Sequence, residues 1–190
     1  MTKQKFDTKT LAMGAILTAI VIVLQYLGSF IHLGPFSISL VLLPIVIGAA
    51  LCGTAISTWL GFVFGLVVLI SGDAAAFLAV NVFGTILTVL VKGAAAGFVG
   101  GIVYKALEKI NRYVAVVTAA ICCPVVNTGI FLIACRLFFF ETIKEWAGDT
   151  NAIVFMFVGL VGLNFLVELA VNVVLSPTVV KVLDIVKKKS

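Results

Sequence analysis

The sequence has very little charge. Only 11% of its 190 residues are Asp, Glu, Lys or Arg, whereas 63% are hydrophobic and the mean hydropathy is +1.29. Soluble globular domains contain about 25% charged and roughly 45–50% apolar residues, with glycine counted among the apolar ones. A small domain buries only about 70% of its unfolded surface, so this chain could not hide its apolar surface from water. The composition excludes a soluble domain and predicts an integral membrane protein.

The motifs of several functional classes are also missing. No Gly-x-x-x-x-Gly-Lys-Ser/Thr loop occurs, so the chain is not expected to bind and hydrolyse ATP by itself. No Gly-x-Ser-x-Gly or His-Glu-x-x-His motif occurs, and the one histidine, His32, is predicted to lie in an outer loop. The chain shows neither repeated channel-filter residues nor the two matching broken helices of an inverted-repeat carrier. We therefore expect no catalytic residues and no enzyme activity.

The cysteines and the basic residues do not indicate a metal or nucleic acid. Cys52, Cys122, Cys123 and Cys135 lie in or beside apolar runs, without the spacing or histidine partners of a metal site. We expect them to be reduced and buried in the membrane. A net charge of +5 could indicate nucleic acid in a soluble protein, but here the basic residues cluster between apolar runs. No metal, cofactor or nucleic acid is therefore expected.

Apolar runs predict six transmembrane helices, because about 20 apolar residues cross the roughly 30 Å of hydrocarbon. The predicted helices cover about residues 10–31, 38–52, 54–70, 74–104, 113–140 and 152–180. The fourth is expected to begin with a re-entrant or irregular segment, and a polar loop at 141–151 is expected before the sixth. The first run is too long for a secretory signal and lacks a cleavage site. The chain is thus predicted to be a single all-α membrane domain, a six-helix bundle.

The distribution of basic residues predicts the orientation. With both termini in the cytoplasm, the inner side carries Lys3, Lys5, Lys9, Lys105, Lys109, Arg112, Lys181, Lys187, Lys188 and Lys189, and the outer side carries Lys144 and Arg136. The positive-inside rule favours this arrangement. Six crossings satisfy it, because both termini then lie on the same side.

Small residues recur along three predicted helices. The stripes are Ala12, Ala15 and Ala19; Gly53, Ser57, Gly61 and Gly65; and Gly93, Gly97 and Gly101. Membrane helices pack through close contact between small residues. Each stripe is therefore expected to pack inside the bundle or to dock a partner protein.

Two charges lie in the middle of predicted helices. Lys92 and Glu168 each precede the cytoplasmic lysine of their own helix by 13 residues, which puts both about 20 Å above that anchor. Asn127 follows Arg112 by 15 residues and reaches about 22 Å. A charge at the centre of a bilayer costs at least about 2.5–3.5 kcal/mol on insertion scales, so it usually has a function or a partner.

Helical spacing extends these positions into polar faces. Asn164, Glu168 and Asn172 follow one another at intervals of four, and a second face leads from Asn81 to Lys92. We expect these faces to line one cavity in the outer half of the membrane. The predicted substrate-binding residues are Asn81, Thr85, Thr88, Lys92, Asn127, Asn164 and Glu168. Two alternatives stay open: Lys92 and Glu168 neutralise each other, or Lys92 holds a carboxylate of the substrate.

Several segments resemble the substrate-binding S components of energy-coupling factor (ECF) vitamin transporters. They are ISLVLLPIVIGAA at 38–50, Gly53 with GFVFGL at 61–66, KGAAAG at 92–97 leading to Tyr104-Lys105, and NFLVE at 164–168 leading to Ser176-Pro177. Ala15-x-x-x-Ala19 resembles the docking motif on the first helix of that family. The likeness covers nearly the whole chain and includes its length and the order of its helices.

The resemblance implies a subunit of an ATP-driven importer in the bacterial plasma membrane. Such a subunit captures a water-soluble vitamin and associates with a transmembrane T component and two cytosolic ATPases, which use the ATP. It also implies that helices one to three face the partner, with Ala12, Ala15 and Ala19 as docking residues, while helices four to six hold the substrate. No substrate-specific motif matches. As the substrate, pantothenate is slightly favoured, because an intramembrane Lys92 beside amides and hydroxyls suits a small hydroxy acid; riboflavin and pyridoxine come next.

Two other functions fit the same residues. A self-contained proton-coupled carrier would use Glu168 as its proton site and would accumulate solute in liposomes under a pH gradient. A structural subunit would have no ligand, and Lys92 and Glu168 would form an internal pair. Such a subunit would carry no small molecule when purified from its native membrane.

Overall fold

The computed structural model describes residues 7–30, 39 and 41–188, and all regular structure in that part of the chain is helical. The elements in chain order are α1 (Thr8–Gly28), α2 (Leu42–Cys52), α3 (Thr54–Ser71), α4 (Ala75–Leu78), α5 (Val82–Leu107), α6 (Arg112–Phe138), α7 (Phe140–Ala147), α8 (Ala152–Val154), a π-helical segment (Phe155–Gly162) and α9 (Leu163–Lys188). Lys3, Lys5, His32 and Lys189 lie outside the described residues, as do the predicted helix limits at 31 and 38.

The prediction of an all-α membrane bundle is confirmed. Four single helices, α1, α3, α5 and α6, are long and apolar enough to cross a bilayer, and so is the continuous helical stretch Ala152–Val186. The sixth apolar helix, α2, has only 11 residues. It rises about 16 Å, roughly half the thickness of the hydrocarbon layer. The second helix is therefore shorter than the predicted span of 38–52.

The helices begin and end at residues suited to those positions. Gly53 between α2 and α3 has φ 88°, and Gly72 after α3 has φ 91°. Residues with a side chain rarely adopt such backbone angles. The side chains of Asn81, Asn111 and Asn151 accept hydrogen bonds from backbone N–H groups in the first turns of α5, α6 and α8. These caps satisfy donors that a helix leaves unpaired at its start.

The segment predicted as a polar loop at 141–151 contains the helix α7. Ile143 and Ala147, four residues apart, are both buried, while Lys144 forms an exposed salt bridge of 2.9 Å with Glu141. The segment is polar on average but amphipathic at the helical period. It therefore forms a surface helix whose apolar side packs on the bundle.

The last two predicted spans also differ in detail. The span 74–104 is divided into α4 and α5 by residues 79–81. The helix predicted at 152–180 continues to Lys188 and includes the π-helical segment. Hydropathy marks the limit of the membrane, whereas a helix can continue past it. The extension is tied to the start of α6 by a salt bridge between Arg112 and Asp184.

The two glycine stripes pack against each other inside the bundle. A Cβ added to Gly61 would lie 2.1 Å from the backbone oxygen of Gly93, and one added to Gly97 would lie 2.1 Å from that of Ser57. Gly61 thus lies opposite Gly93 and Ser57 opposite Gly97, which defines an antiparallel register. The close approach of α3 and α5 leaves these stripes unavailable to a partner.

The remaining helices are arranged around this pair. On its other side α5 packs against α6; α1 and α2 pack on α3, and α9 packs on α6 and α2. Apolar residues of α1, α2 and α3, including Val21, Ile45 and Leu60, form a fully buried core with parts of α5, α6 and α9. The alanine stripe of α1 differs from the glycine stripes, because its three members are all exposed.

Candidate functional site

A cavity of about 790 Å³, counting the space at its open mouth, lies among these helices. The polar lining residues are Gln25, Ser39, Asp73, Thr85, Thr88, Lys92, Asn127, Thr128, Asn164 and Glu168. The aromatic lining residues are Phe64, Phe77, Phe131, Phe139 and Phe165. Such a lining suits a small molecule with polar groups and an apolar part.

Six of the seven residues predicted to bind substrate line this cavity, and the seventh, Asn81, does not. Asn81 precedes the first residue of α5 and has an extended backbone with φ −150°. Its side chain accepts a hydrogen bond of 2.9 Å from the backbone N–H of Gly84. The prediction extended the helical face by one turn too many, because Asn81 caps α5 instead of continuing the face of Thr85.

Lys92 is placed on α5 between aromatic rings. Its ammonium lies 5.4 Å from the ring centre of Phe131 and 5.9 Å from that of Phe64, within the range of cation–π attraction. The lysine is half-buried, and the surface it keeps faces the cavity. In the part of the chain that the structure describes, it forms no salt bridge. The ammonium is therefore available to a ligand.

Glu168 on α9 lines the same cavity, but its carboxylate is hydrogen-bonded to Ser39 and not to Lys92. Glu168 is only 6% exposed, and its Oε1 accepts a hydrogen bond of 3.0 Å from the backbone N–H of Ser39. A direct salt bridge with Lys92 does not form between these two described residues. Of the two alternatives left open by the sequence, this geometry favours an unpaired Lys92.

The wall formed by α5 and α6 presents hydrogen-bond acceptors. Asn127 is 5% exposed, and its Oδ1 accepts no hydrogen bond from the residues that the structure describes. The hydroxyls of Thr85 and Thr88 donate to the backbone oxygens of Asn81 and Gly84, at 2.7 and 2.6 Å. Their protons are thus committed, while lone pairs on the hydroxyl oxygens remain. A ligand with hydroxyl or N–H donors would satisfy this wall.

Four polar lining residues were not predicted: Gln25, Ser39, Asp73 and Thr128. Gln25 is a buried amide on the same face of α1 as Val21. A polar residue on this apolar face is the sequence feature that could have indicated a cavity residue. Gln25 Nε2 donates to Asp73 Oδ2 at 2.8 Å. Asp73 lies between helices in the sequence, where a carboxylate is usually solvated, so no local pattern assigned it to a cavity.

An aromatic cluster forms one wall of the cavity. Phe77 of α4 makes edge contacts with Phe131, Phe139 and Trp146, at centroid distances of 5.5, 4.9 and 5.4 Å. These contacts join α4, α6 and α7. The surface helix α7 is thereby held against the cavity wall through the ring of Phe77.

Comparison with known proteins identifies the family. The model of the family described as the substrate-specific component of ECF transporters matches residues 9–180. The chain belongs to this family. As an S component it is a transport subunit of the cell membrane with several spans, and family membership implies a small-molecule substrate and membrane partners. No curated protein and no solved structure matches the chain significantly.

The membership agrees with the resemblance seen in the sequence. S components are generally not enzymes, which fits a chain without a catalytic motif. The family match gives the role of the subunit, but its description names no substrate.

Proposed function

We propose that this S component captures a small water-soluble vitamin that carries one carboxylate and several hydrogen-bond donors, with pantothenate favoured over riboflavin and pyridoxine. The observation that carries the proposal is the environment of Lys92. Its ammonium faces the cavity between two phenylalanine rings, without a salt bridge in the described part of the chain. A substrate carboxylate would supply the charge-assisted hydrogen bond that Lys92 lacks.

The hydrogen-bond acceptors around Lys92 support the proposal that the substrate carries several hydrogen-bond donors. Asn127 Oδ1 receives no hydrogen bond from the described residues, and the hydroxyl oxygens of Thr85 and Thr88 can each accept one from the substrate. Asp73 and Glu168 also line the cavity and would repel a second negative group. Pantothenate has one carboxylate, two hydroxyls and one amide N–H, and its methyl groups suit the phenylalanine side chains. Riboflavin and pyridoxine offer donors but no carboxylate.

The transport cycle requires partners that supply energy. We propose that the chain works with a T component and two cytosolic ATPases, since it has no nucleotide-binding loop of its own. The docking residues would be Ala12, Ala15 and Ala19, which are exposed along α1. Their small side chains would let a partner helix approach closely.

Mass spectrometry of molecules released from the protein, purified from its native membrane, tests this function. We expect pantothenate, and we expect Lys92→Met protein purified in parallel to carry much less of it. The purified chain would then be titrated with all three vitamins. A chain that binds none of them would contradict the vitamin proposal. A neutral vitamin bound equally well by the Lys92→Met variant would contradict the role of the carboxylate.

A further inference from the structure

The cavity contains a second polar group at a different level from Lys92. Asp73 follows Gly61 by twelve residues and Asn81 precedes Gly93 by twelve, so the register of α3 on α5 puts Asp73 level with the start of α5. Lys92 lies eleven residues beyond Asn81, about 16 Å farther along the helix axis. We call the end of the cavity at Asp73 its rim. The backbone of Lys92 therefore lies about three helical turns of α5 beyond the rim.

At the rim, Gln25 and Asp73 are linked in a way that leaves two acceptors unused. Asp73 Oδ2 accepts from Gln25 Nε2 at 2.8 Å and from the hydroxyl of Ser71 at 3.0 Å. Asp73 Oδ1 receives no hydrogen bond from the described residues. Gln25 is 1% exposed, and its Oε1 likewise has no hydrogen-bond partner in the described part of the chain. Both residues line the cavity.

Gln25 and Asp73 present more acceptor oxygens than a structural link between α1 and α3 requires. Holding α1 to the end of α3 needs only the Gln25 donor and one oxygen of Asp73. A buried acceptor without a donor is unfavourable, and native proteins usually satisfy it with protein groups, water or a ligand. Among the lining residues that the structure describes, Lys92 is the one cation, and its backbone lies about 16 Å from the rim along α5. The rim therefore attracts donors and repels anions.

We propose that Gln25 and Asp73 form an acceptor subsite that takes a hydroxyl or ammonium group of the substrate. The substrate then lies with its donor end at the rim and its acid end at Lys92. This inference deepens the proposed function and rests on it. It also adds α1, the helix with the alanine stripe, to the elements that contact the substrate.

The subsite is tested by removing the donor from the ligand and the acceptors from the protein. Each vitamin is paired with an analogue that has fewer hydroxyls. Pantothenate is paired with N-(3,3-dimethylbutanoyl)-β-alanine and riboflavin with lumiflavin, which both lack all of them. Pyridoxine is paired with 4-deoxypyridoxine, which lacks one. For the vitamin that binds, the wild type should prefer the hydroxylated member by about tenfold or more, as expected for a lost buried hydrogen bond. Gln25→Met, and more strongly Gln25→Met with Asp73→Leu, should reduce that preference below about threefold.

Ser71→Ala is the matched control, because it removes the other hydrogen bond to Asp73 without changing a lining residue. It should keep the preference of the wild type. A preference that persists in both Gln25 variants would overturn the subsite while the vitamin function stands. If the double variant does not fold, the single Gln25→Met variant decides by the same comparison.

The melting temperature of the empty protein separates this inference from the proposed function. If the wild type binds no vitamin, the proposed function fails and the subsite is judged without a ligand. Asp73→Asn keeps one oxygen for the hydrogen bond from Gln25 and removes the second, unused acceptor. If the fold does not need that acceptor, the melting temperature of this variant should lie within about 5 °C of that of the wild type. A larger fall would show that both oxygens of Asp73 serve the fold, and it would overturn the subsite.

Discussion

Lys92 illustrates how a membrane protein can keep a charge far from either surface. Burial of an isolated ammonium in hydrocarbon is costly, but the cavity and the faces of Phe64 and Phe131 reduce that cost. The charge is thus tolerated without a salt bridge from the described residues. A residue held in this way can exchange water for a substrate carboxylate without first breaking an ion pair.

Replacing Lys92 by Met should weaken binding of the acidic vitamin while the protein stays folded. A hydrogen bond to a charged group contributes about 1.5–3 kcal/mol, so the affinity should fall roughly tenfold to more than a hundredfold. A ligand titration and a melting curve measure the two effects. Lys109→Met makes the same chemical change at an exposed position outside the cavity and should alter neither.

Adding Glu168→Gln to Lys92→Met distinguishes capture of a carboxylate from an internal ion pair. The Oε1 of a glutamine can still accept from the backbone N–H of Ser39, so the second change should be mild. We expect no recovery of binding in the double variant. An internal pair predicts the opposite: each single variant would be destabilised by about 3–5 kcal/mol, and the double variant would recover.

At the contact between α3 and α5 the two backbones lie so close that there is no room for a larger side chain. Gly97→Ala should lower the melting temperature, because its Cβ would lie 2.1 Å from the backbone oxygen of Ser57 and the helices would have to separate. Overpacking of this kind costs about 1–3 kcal/mol or more. Gly129→Ala is the matched control, since a Cβ there meets no atom within 4 Å. Equal melting temperatures for the two variants would contradict the close packing.

The exposed face of α1 should govern assembly with the T component. Ala15→Leu or Ala19→Leu should reduce recovery of the T component in a pull-down, because a bulky side chain prevents close approach of a partner helix. Vitamin binding should survive, since Gln25 lies on the opposite, buried face of α1. Ala170→Leu, an exposed alanine on α9, should affect neither measurement. Unchanged pull-down with lost binding would assign this face to the cavity.

For the whole molecule, binding and transport should be separable. The purified chain in vesicles should bind the vitamin without accumulating it, because it has a cavity but no nucleotide loop. Vesicles that also contain the T component and the ATPases should accumulate it, and only when ATP is supplied. Accumulation by the chain alone under a pH gradient would favour the proton-coupled carrier, with Glu168 as the proton site.

The sequence by itself determined the membrane class and most of the spans, and it predicted a common depth for the polar residues. Hydropathy is a local property, and backbone polar groups in lipid must be satisfied within each helix, so an apolar run of sufficient length predicts a crossing. The fixed rise per residue converts spacing into depth. For this reason Lys92, Asn127 and Glu168 could be placed near the same level from their distances to basic residues.

Only the tertiary structure decided how each helix is rotated and which segments meet. Rotation depends on packing against neighbours, so the sequence could not determine whether Lys92 and Glu168 touch or which stripes face a partner. Gln25 and Asp73 are separated by 48 residues and meet only because α1 packs on α3. Asn81 does not lie on the predicted face of α5, because the chain turns before that helix begins. Average polarity likewise concealed α7, whose helix is stabilised by burial of its apolar side.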